Sequence, residues 1–163
     1  MINVVIPAQA GIQYTYDPFG RRISKTVNGV TTKFLYDGDQ IIAEYDGSDN
    51  LTAKYINGAS IDETIRMDRG ANSYYYHYDG LGSVTNLTDA TGATVESYAY
   101  DVFGKPSTTS SVGNTRMFTG REYDQQTGLY YYRARYYSPD LGRFLQTDPI
   151  GYLSGMNLYT YCD

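Results

Sequence analysis

Apolar and polar positions alternate along most of this chain. In Ala93–Tyr100, Val95, Ser97 and Ala99 take one face and Glu96, Tyr98 and Tyr100 the other; Ile41, Ala43 and Tyr45 likewise share a face. A period of two is the signature of strands, because successive side chains leave the pleat on opposite sides. The alternating segments are short and are punctuated by Asn28-Gly29, Asp37-Gly38, Asp46-Gly47, Asn57-Gly58 and Asp79-Gly80. Such dipeptides predict tight hairpins, since a type I′ turn needs positive φ at both central positions.

A longer period overlies the alternation. Tyr-Asp recurs, and with Tyr55 as a degenerate member the marks fall at 16, 36, 55, 78, 100 and 123, intervals of 20, 19, 23, 22 and 23. Three copies extend to YDPFGRR, YDGLGSV and YDVFGKP, and YSPDLGRF from Tyr137 is a variant. In Tyr16-Asp17 with Gly20, Tyr78-Asp79 with Gly82 and Tyr100-Asp101 with Gly104, the Asp can accept backbone N–H bonds and the Gly can take positive φ, which closes a strand in a tight turn. A period near twenty residues holds two strands of about 7–8 residues and two turns. One hairpin is marginal alone, so the prediction is an all-β fold of about six or seven antiparallel hairpins stacked edge to edge into a curved or spiral sheet. Lys105–Asn114, KPSTTSSVGN, lacks the pattern and reads as a surface loop.

Composition changes the picture in two ways. Twenty Tyr against 5 Phe and no Trp favour sheet walls with half-wet faces over one oily core. A net charge of −5 argues against a nucleic-acid partner, since phosphate binding needs a basic face. One Cys (Cys162) and one His (His77) exclude an internal disulfide and a His/Cys zinc site, and no cofactor or metal is expected. No apolar run reaches the roughly 20 residues that cross a bilayer as a helix, and MINVVIPAQAGIQ lacks the basic start of a signal peptide. Residues 1–13 resemble translated intergenic DNA, an accidental extension; the alternative is an ordinary edge strand.

The Tyr-Asp motifs, the block YDGDQIIAEYDGSDNLTAKYINGASIDE and above all GLYYYRARYYSPDLGRFLQTDPIGYLSGMNLYTY resemble the RHS/YD-repeat proteins, the last stretch resembling their RHS repeat-associated core domain. The resemblance divides the chain into hairpins over 14–115 and a core segment over 116–163, truncated at its C-terminus, with a short irregular or helical plug expected at the C-terminal end. In that family the repeats coil into a hollow β-shell around a C-terminal toxin, and the core domain closes one end and, in bacterial members, cuts the chain once. The relatives are exported or surface-associated. The resemblance therefore implies the rest of such a shell and its toxin as partners.

The family's cut resembles aspartyl-protease chemistry, in which one of two close carboxyls keeps its proton while the other is ionised. Carried over by position, the first aspartate falls on Asp148 of QTDPIG and the supporting arginine on Arg135 of RARYYSPD. The second aspartate and the scissile leucine should follow NLYTY. Asp163, after Tyr161-Cys162 and without Pro-x-Gly, does not fit that role. The expectation is a vestigial site and a chain that does not cleave itself. Each residue has a structural alternative: Asp148-Pro149 as the opening of a turn, and Arg133, Arg135 and Arg143 as partners of Asp140 or stacked on tyrosines. A second reading is a carbohydrate- or surface-binding module, in which Tyr74, Tyr76, Tyr98 and Tyr131 would line an open groove; in a structural wall they would face a packed interior.

Overall fold

The computed structural model describes residues 11–149, 151 and 156–161. Most of the predicted N-terminal extension, together with Cys162 and Asp163, lies outside the described residues. Among the described residues the named elements are thirteen strands and a turn of 3-10 helix at Phe118–Gly120.

Nine strands form one sheet in strict chain order: β1 (Ile12–Tyr16), β2 (Arg22–Val27), β3 (Val30–Asp37), β4 (Gln40–Asp46), β5 (Leu51–Asn57), β6 (Thr64–Arg69), β7 (Asn72–Tyr78), β8 (Val84–Thr88) and β9 (Thr94–Ser97). Every strand pairs with its sequence neighbour, so each hairpin covers the edge of the one before it. The all-β, hairpin-in-series prediction describes this sheet.

The turn chemistry departs from the simple reading of Xaa-Gly dipeptides. Only Asn28-Gly29 places both residues at positive φ, 49° and 83°, between the paired Val27 and Val30. At Asp37-Gly38 the loop is shifted by one: Asp37 pairs with Gln40, and Gly38 supplies the positive φ. Gly70-Ala71, which carries no Asn or Asp, closes an equally tight hairpin between Arg69 and Asn72 with Gly70 at 61°. None of Gly47, Gly58 and Gly80 takes positive φ. Their dipeptides open longer connections: Asp46 and Asp79 act there through their side chains, and after Asn57-Gly58 it is Glu63 Oε2 that accepts the Ser60 N–H at 3.1 Å.

One face of this sheet is buried. Tyr55, Met67 and Tyr74 form a cross-strand row, with Met67 fully buried and Tyr76 Oη donating to its sulfur at 3.8 Å. The next row, Glu44, Ala53 and Arg69, is polar: Glu44 Oε1 accepts from Tyr55 Oη at 2.7 Å and Oε2 from Arg69 Nη2 at 2.6 Å. The tyrosine hydroxyl and the guanidinium supply the partners a buried carboxylate requires.

Two compact units divide the chain. One holds the chain through His77 together with Asn86–Ser97; the other holds Tyr78–Thr85 and the chain from Tyr98 onward. The second unit contains a four-stranded antiparallel sheet, β10 (Glu122–Asp124), β11 (Leu129–Tyr132), β12 (Arg135–Ser138) and β13 (Arg143–Phe144). The described residues after Phe144 carry no strand, as a short irregular plug would, and the core segment before them is itself sheet. The reason is Tyr-rich alternation in segments of two to four residues, too short for period analysis but sufficient once the strands pack on one another.

Lys105–Asn114 is fastened at both ends. Pro106 bridges Tyr100, and the Ser107 N–H donates to Ala99 O at 2.8 Å. Asn114 is fully buried, donating to Tyr98 Oη at 3.2 Å and Arg116 O at 2.8 Å and accepting from the Arg116 N–H at 2.8 Å. Its N–H donates to Ser110 Oγ at 2.9 Å within the loop, but its side-chain partners lie outside it, so local sequence pattern could not reveal its burial.

Candidate functional site

The Asp-x-x-Gly turns share one geometry. Asp17 Oδ1 accepts the N–H groups of Phe19 and Arg21 at 3.0 and 2.9 Å, the Gly20 N–H returns to Asp17 O at 3.0 Å, and Gly20 sits at φ 80°. Asp79 does the same with Leu81, Ser83 and Gly82, and Asp101 with Phe103, Lys105 and Gly104. Two further turns of this kind lack the Tyr-Asp-Gly signature. Asp46 binds Ser48 and Asn50, with Asp49 instead of glycine at φ 65°; Asp89 binds Thr91 and Ala93, with Gly92 at 85° but Thr88 before it. Asp with a positive-φ residue three positions later is therefore the better signal than Tyr-Asp. Hydrogen bonds from Asn50 hold the Asp46 carboxyl below its usual range, and those from Thr91 do the same for Asp89. At Asp17 burial opposes ionisation, but the Arg21 N–H and guanidinium outweigh it.

The tyrosine ahead of an Asp has a separate task. Tyr36 Oη donates to Arg22 O at 2.9 Å and Tyr100 Oη to Val84 O at 2.6 Å. Arg22 and Val84 each lie five residues after the Asp of a preceding turn, Asp17 and Asp79. One repeat's tyrosine thus satisfies the carbonyl at which the earlier turn re-enters its strand. Tyr16 and Tyr78 are half-buried.

In the second unit, tyrosines converge on the turn at Asp101–Lys105. Tyr130 Oη donates to Gly104 O at 2.7 Å and Tyr137 Oη to Phe103 O at 2.9 Å. The Tyr130 ring lies 4.8 Å from Tyr123 and 6.3 Å from Tyr137, and Tyr137 lies 4.7 Å from Tyr161. The Tyr132, Tyr161 and Thr119 hydroxyls form a chain of 2.8 Å bonds. Burial pushes the hydroxyls of Tyr100, Tyr130 and Tyr132 well above the usual tyrosine range.

The Asp148 position is built on the same sheet. Arg135 opens β12 opposite Tyr132, and its guanidinium carbon lies 3.7 Å from the Phe144 ring centroid. Arg135 Nη1 approaches Asp148 Oδ2 to 3.0 Å, the two side chains being 17% and 13% exposed. The contact is one of charge: Nη1 is buried without a well-aligned hydrogen bond. The Asp148 N–H donates to Leu158 O at 2.9 Å, and the Gly151 N–H donates to Asp148 O at 3.0 Å with Gly151 at φ 63°. Gln146 Oε1 accepts the Tyr136 N–H at 2.7 Å and so ties the approach to Asp148 to the strand that carries Arg135. Dyad chemistry needs one protonated and one ionised carboxyl; the pair here is one carboxyl and one guanidinium.

The remaining candidates fall elsewhere. Asp140 pairs with Lys105 at 2.7 Å, Arg143 lies 5.9 Å from the Tyr159 ring, and Arg133 occupies the β11–β12 turn at φ 58°. Exposed His77 contacts Thr88 Oγ1 at 3.0 Å. Tyr74, Tyr76, Tyr98 and Tyr131 are all buried, so none lines an open groove. Among the described residues no cluster of three or more His, Cys, Asp or Glu could hold a metal, and no helix is long and apolar enough to cross a membrane. Asp17-Pro18-Phe19-Gly20 is a second Asp-Pro-x-Gly in this sequence, but its carboxylate is engaged by Phe19 and Arg21 within its own turn.

Known proteins match this architecture. The chain is 41% identical over 142 residues to the tRNA nuclease WapA of Bacillus subtilis strain 168, a match over 83% of this chain and 6% of that protein. It is 28% identical over 181 residues to double-stranded DNA deaminase toxin A of Burkholderia cenocepacia strain H111, covering 91% of this chain and 13% of the relative. The crystal structure of TcdB2-TccC3 superposes with a TM-score of 0.71 over 97% of this chain and 9% of that one, at 24% identity, which shows a common fold. The chain thus spans only a small part of these much longer proteins. The Teneurin YD-shell family matches residues 1–161, and with hairpins in strict series and Asp-x-x-Gly turns locked from neighbouring repeats, this chain belongs to that family.

Proposed function

We propose that the chain is a wall and closing segment of a toxin-enclosing shell, and that it does not cleave itself. The observation that carries the wall reading is the unbroken neighbour-to-neighbour order of nine strands with one tyrosine-rich face buried. Such a sheet is a strip, able to continue through further hairpins without changing its construction. The relatives that share it are toxins many times longer than this chain. The test is a replacement: this chain is put in place of the matching 142 residues of the Bacillus subtilis relative. The C-terminal domain of that protein should then resist added protease until the fold is denatured. Immediate digestion of that domain, with the wall itself intact, would overturn the reading.

The absence of self-cleavage rests on the composition of the Asp148 site. There Arg135 Nη1 lies 3.0 Å from Asp148 Oδ2, a guanidinium against a carboxyl where dyad chemistry uses two carboxyls. Intact mass after expression and prolonged incubation should equal that of the full chain. A shorter product that vanishes in Asp148→Asn would show that the site cuts.

A further inference from the structure

Asparagine followed by glycine occurs twice in this sequence, at Asn28-Gly29 and at Asn57-Gly58, and a β-branched residue, Val27 or Ile56, precedes each pair. Chemically the two dipeptides are alike. In each, the glycine nitrogen can attack the asparagine side-chain carbonyl, because glycine has no Cβ to obstruct the approach. The attack requires that nitrogen and the carbonyl carbon to come together, and the peptide between them has to turn for that.

At Asn57 the fold holds both reacting groups. Asn57 Nδ2 donates to Ile41 O at 3.0 Å, and Asn57 Oδ1 accepts from Thr64 Oγ1 at 3.0 Å. The Gly58 N–H, which carries the attacking nitrogen, donates to Glu63 O at 2.7 Å. The Glu63 carboxylate also packs against Gly58, which leaves the peptide no room to swing.

Asn28 is held differently. Its backbone N–H donates to Gly11 O at 3.0 Å, but that group takes no part in the attack. Among the described residues, neither the Asn28 side-chain amide nor the Gly29 N–H makes a hydrogen bond. Both residues are exposed, and apart from its chain neighbours no atom lies within 4 Å of where a Gly29 Cβ would stand. Asn28 also sits at φ 49°, in the left-handed region that costs a residue with a side chain some energy.

We propose that Asn28 is a site of spontaneous deamidation, and that the fold protects the same dipeptide at Asn57. The Gly29 nitrogen gives up its proton and bonds to Asn28 Cγ, the Cγ–Nδ2 bond breaks, and ammonia leaves with a proton in place of the lost bond. The ring so formed is a succinimide. Water opens it at either carbonyl, leaving aspartate or β-linked isoaspartate at position 28; the balance is one water in and one ammonia out. Isoaspartate adds a methylene to the main chain between the paired Val27 and Val30, so the tip of the β2–β3 hairpin loses its register.

Trypsin separates the two sites into peptides 26–33 and 55–66. The folded full chain is aged at mildly alkaline pH, beside a sample in guanidinium chloride, and both are digested at intervals for mass spectrometry. In the folded chain, conversion of amide to acid in peptide 26–33 should run at least about ten times faster than in peptide 55–66, the factor imposed by breaking one or two hydrogen bonds before reaction. In guanidinium chloride the two rates should converge. Labelling by an isoaspartyl methyltransferase should appear in the aged chain and vanish in the aged Asn28→Gln chain, with circular dichroism checking that both keep the sheet. Equal rates in the folded chain, a faster Asn57, or an Asn28 peptide that converts only when the chain is unfolded would each overturn the proposal. So would a rate difference that persists in guanidinium chloride, or labelling retained in the Asn28→Gln chain.

Discussion

The nine-stranded sheet and the four-stranded sheet solve the same problem, holding short strands together, with different emphasis. In the first unit the turns are fastened by carboxylates. Asp17, Asp46, Asp68 and Asp89 are all held below the usual carboxylate range, by hydrogen bonds or by paired arginine. The second unit keeps such aspartate turns at Asp79 and Asp101 but adds buried tyrosine to them: Tyr100, Tyr123, Tyr130 and Tyr132 are all pushed upward, chiefly by burial. A long sheet can rely on ladder hydrogen bonds between many neighbours and needs only its turns specified. Strands of two to four residues have few ladder bonds, so aromatic area and hydroxyl bonds do that work.

The largest expected effect is at Gly104. A Cβ there would lie 2.4 Å from the Phe118 ring while the backbone stays at φ 82°. Gly104→Ala should cost about 3 kcal/mol, from overpacking plus left-handed strain. Gly82 has the same φ and open space around it, so Gly82→Ala should cost about 1 kcal/mol. Urea unfolding of the two variants measures the difference; equal costs would mean that the docked ring contributes nothing.

Tyr130→Phe comes next. It keeps the ring and removes the donor to Gly104 O, leaving a buried carbonyl unmatched, for about 1–2 kcal/mol. Tyr75 is half-buried, so Tyr75→Phe should fall well below that, and thermal melts of both check the order.

Opposite pH extremes should loosen opposite units. For tyrosines whose folded value is raised above the usual 10.0, stability is fully present below that value and lost as pH climbs above it. For aspartates whose folded value is lowered, stability is present above the usual 3.8 and lost as pH falls below it. Near-ultraviolet tyrosine dichroism should therefore fade first in alkali. Amide exchange at Ser48, Asn50, Thr91 and Ala93 should quicken first in acid. Simultaneous loss of both signals at either extreme would mean that the two units melt as one.

The smallest effect is at the surface. Lys33 reaches Asp49 at 2.6 Å, but the pair is exposed, so Lys33→Met should change stability by less than about 0.5 kcal/mol in a thermal melt.

Much of the fold was legible in the residues. Alternation and the Tyr-Asp period describe a sheet of hairpins in series, and Asp17, Asp79 and Asp101 with their glycines were readable as turns because the chemistry is local. A turn at Asp46-Gly47 was readable but not its kinship with Asp17, because Asp49 stands where glycine does elsewhere, and the Asp89 turn escaped because it lacks the tyrosine. Gly70-Ala71 escaped because neither residue belongs to the usual hairpin pair. At the candidate site, Asp148 and Arg135 were picked out by resemblance; their 3.0 Å approach over the face of Phe144 was not readable from a spacing of thirteen residues.

By itself the sequence determined what depends on neighbours within about five residues: strand periodicity, the Asp-x-x-Gly turns, and the order in which hairpins follow one another. Only the tertiary structure decided which carbonyl each tyrosine hydroxyl would meet, as Tyr130 meets Gly104 and Tyr36 meets Arg22. It also decided that Phe19 and Ile61 would stand exposed while Tyr74 and Tyr76 are covered. The physical reason is range. Backbone geometry and side-chain-to-backbone bonds are settled locally, whereas burial belongs to a residue's surroundings, which alternation leaves open until the sheet has chosen the face it covers.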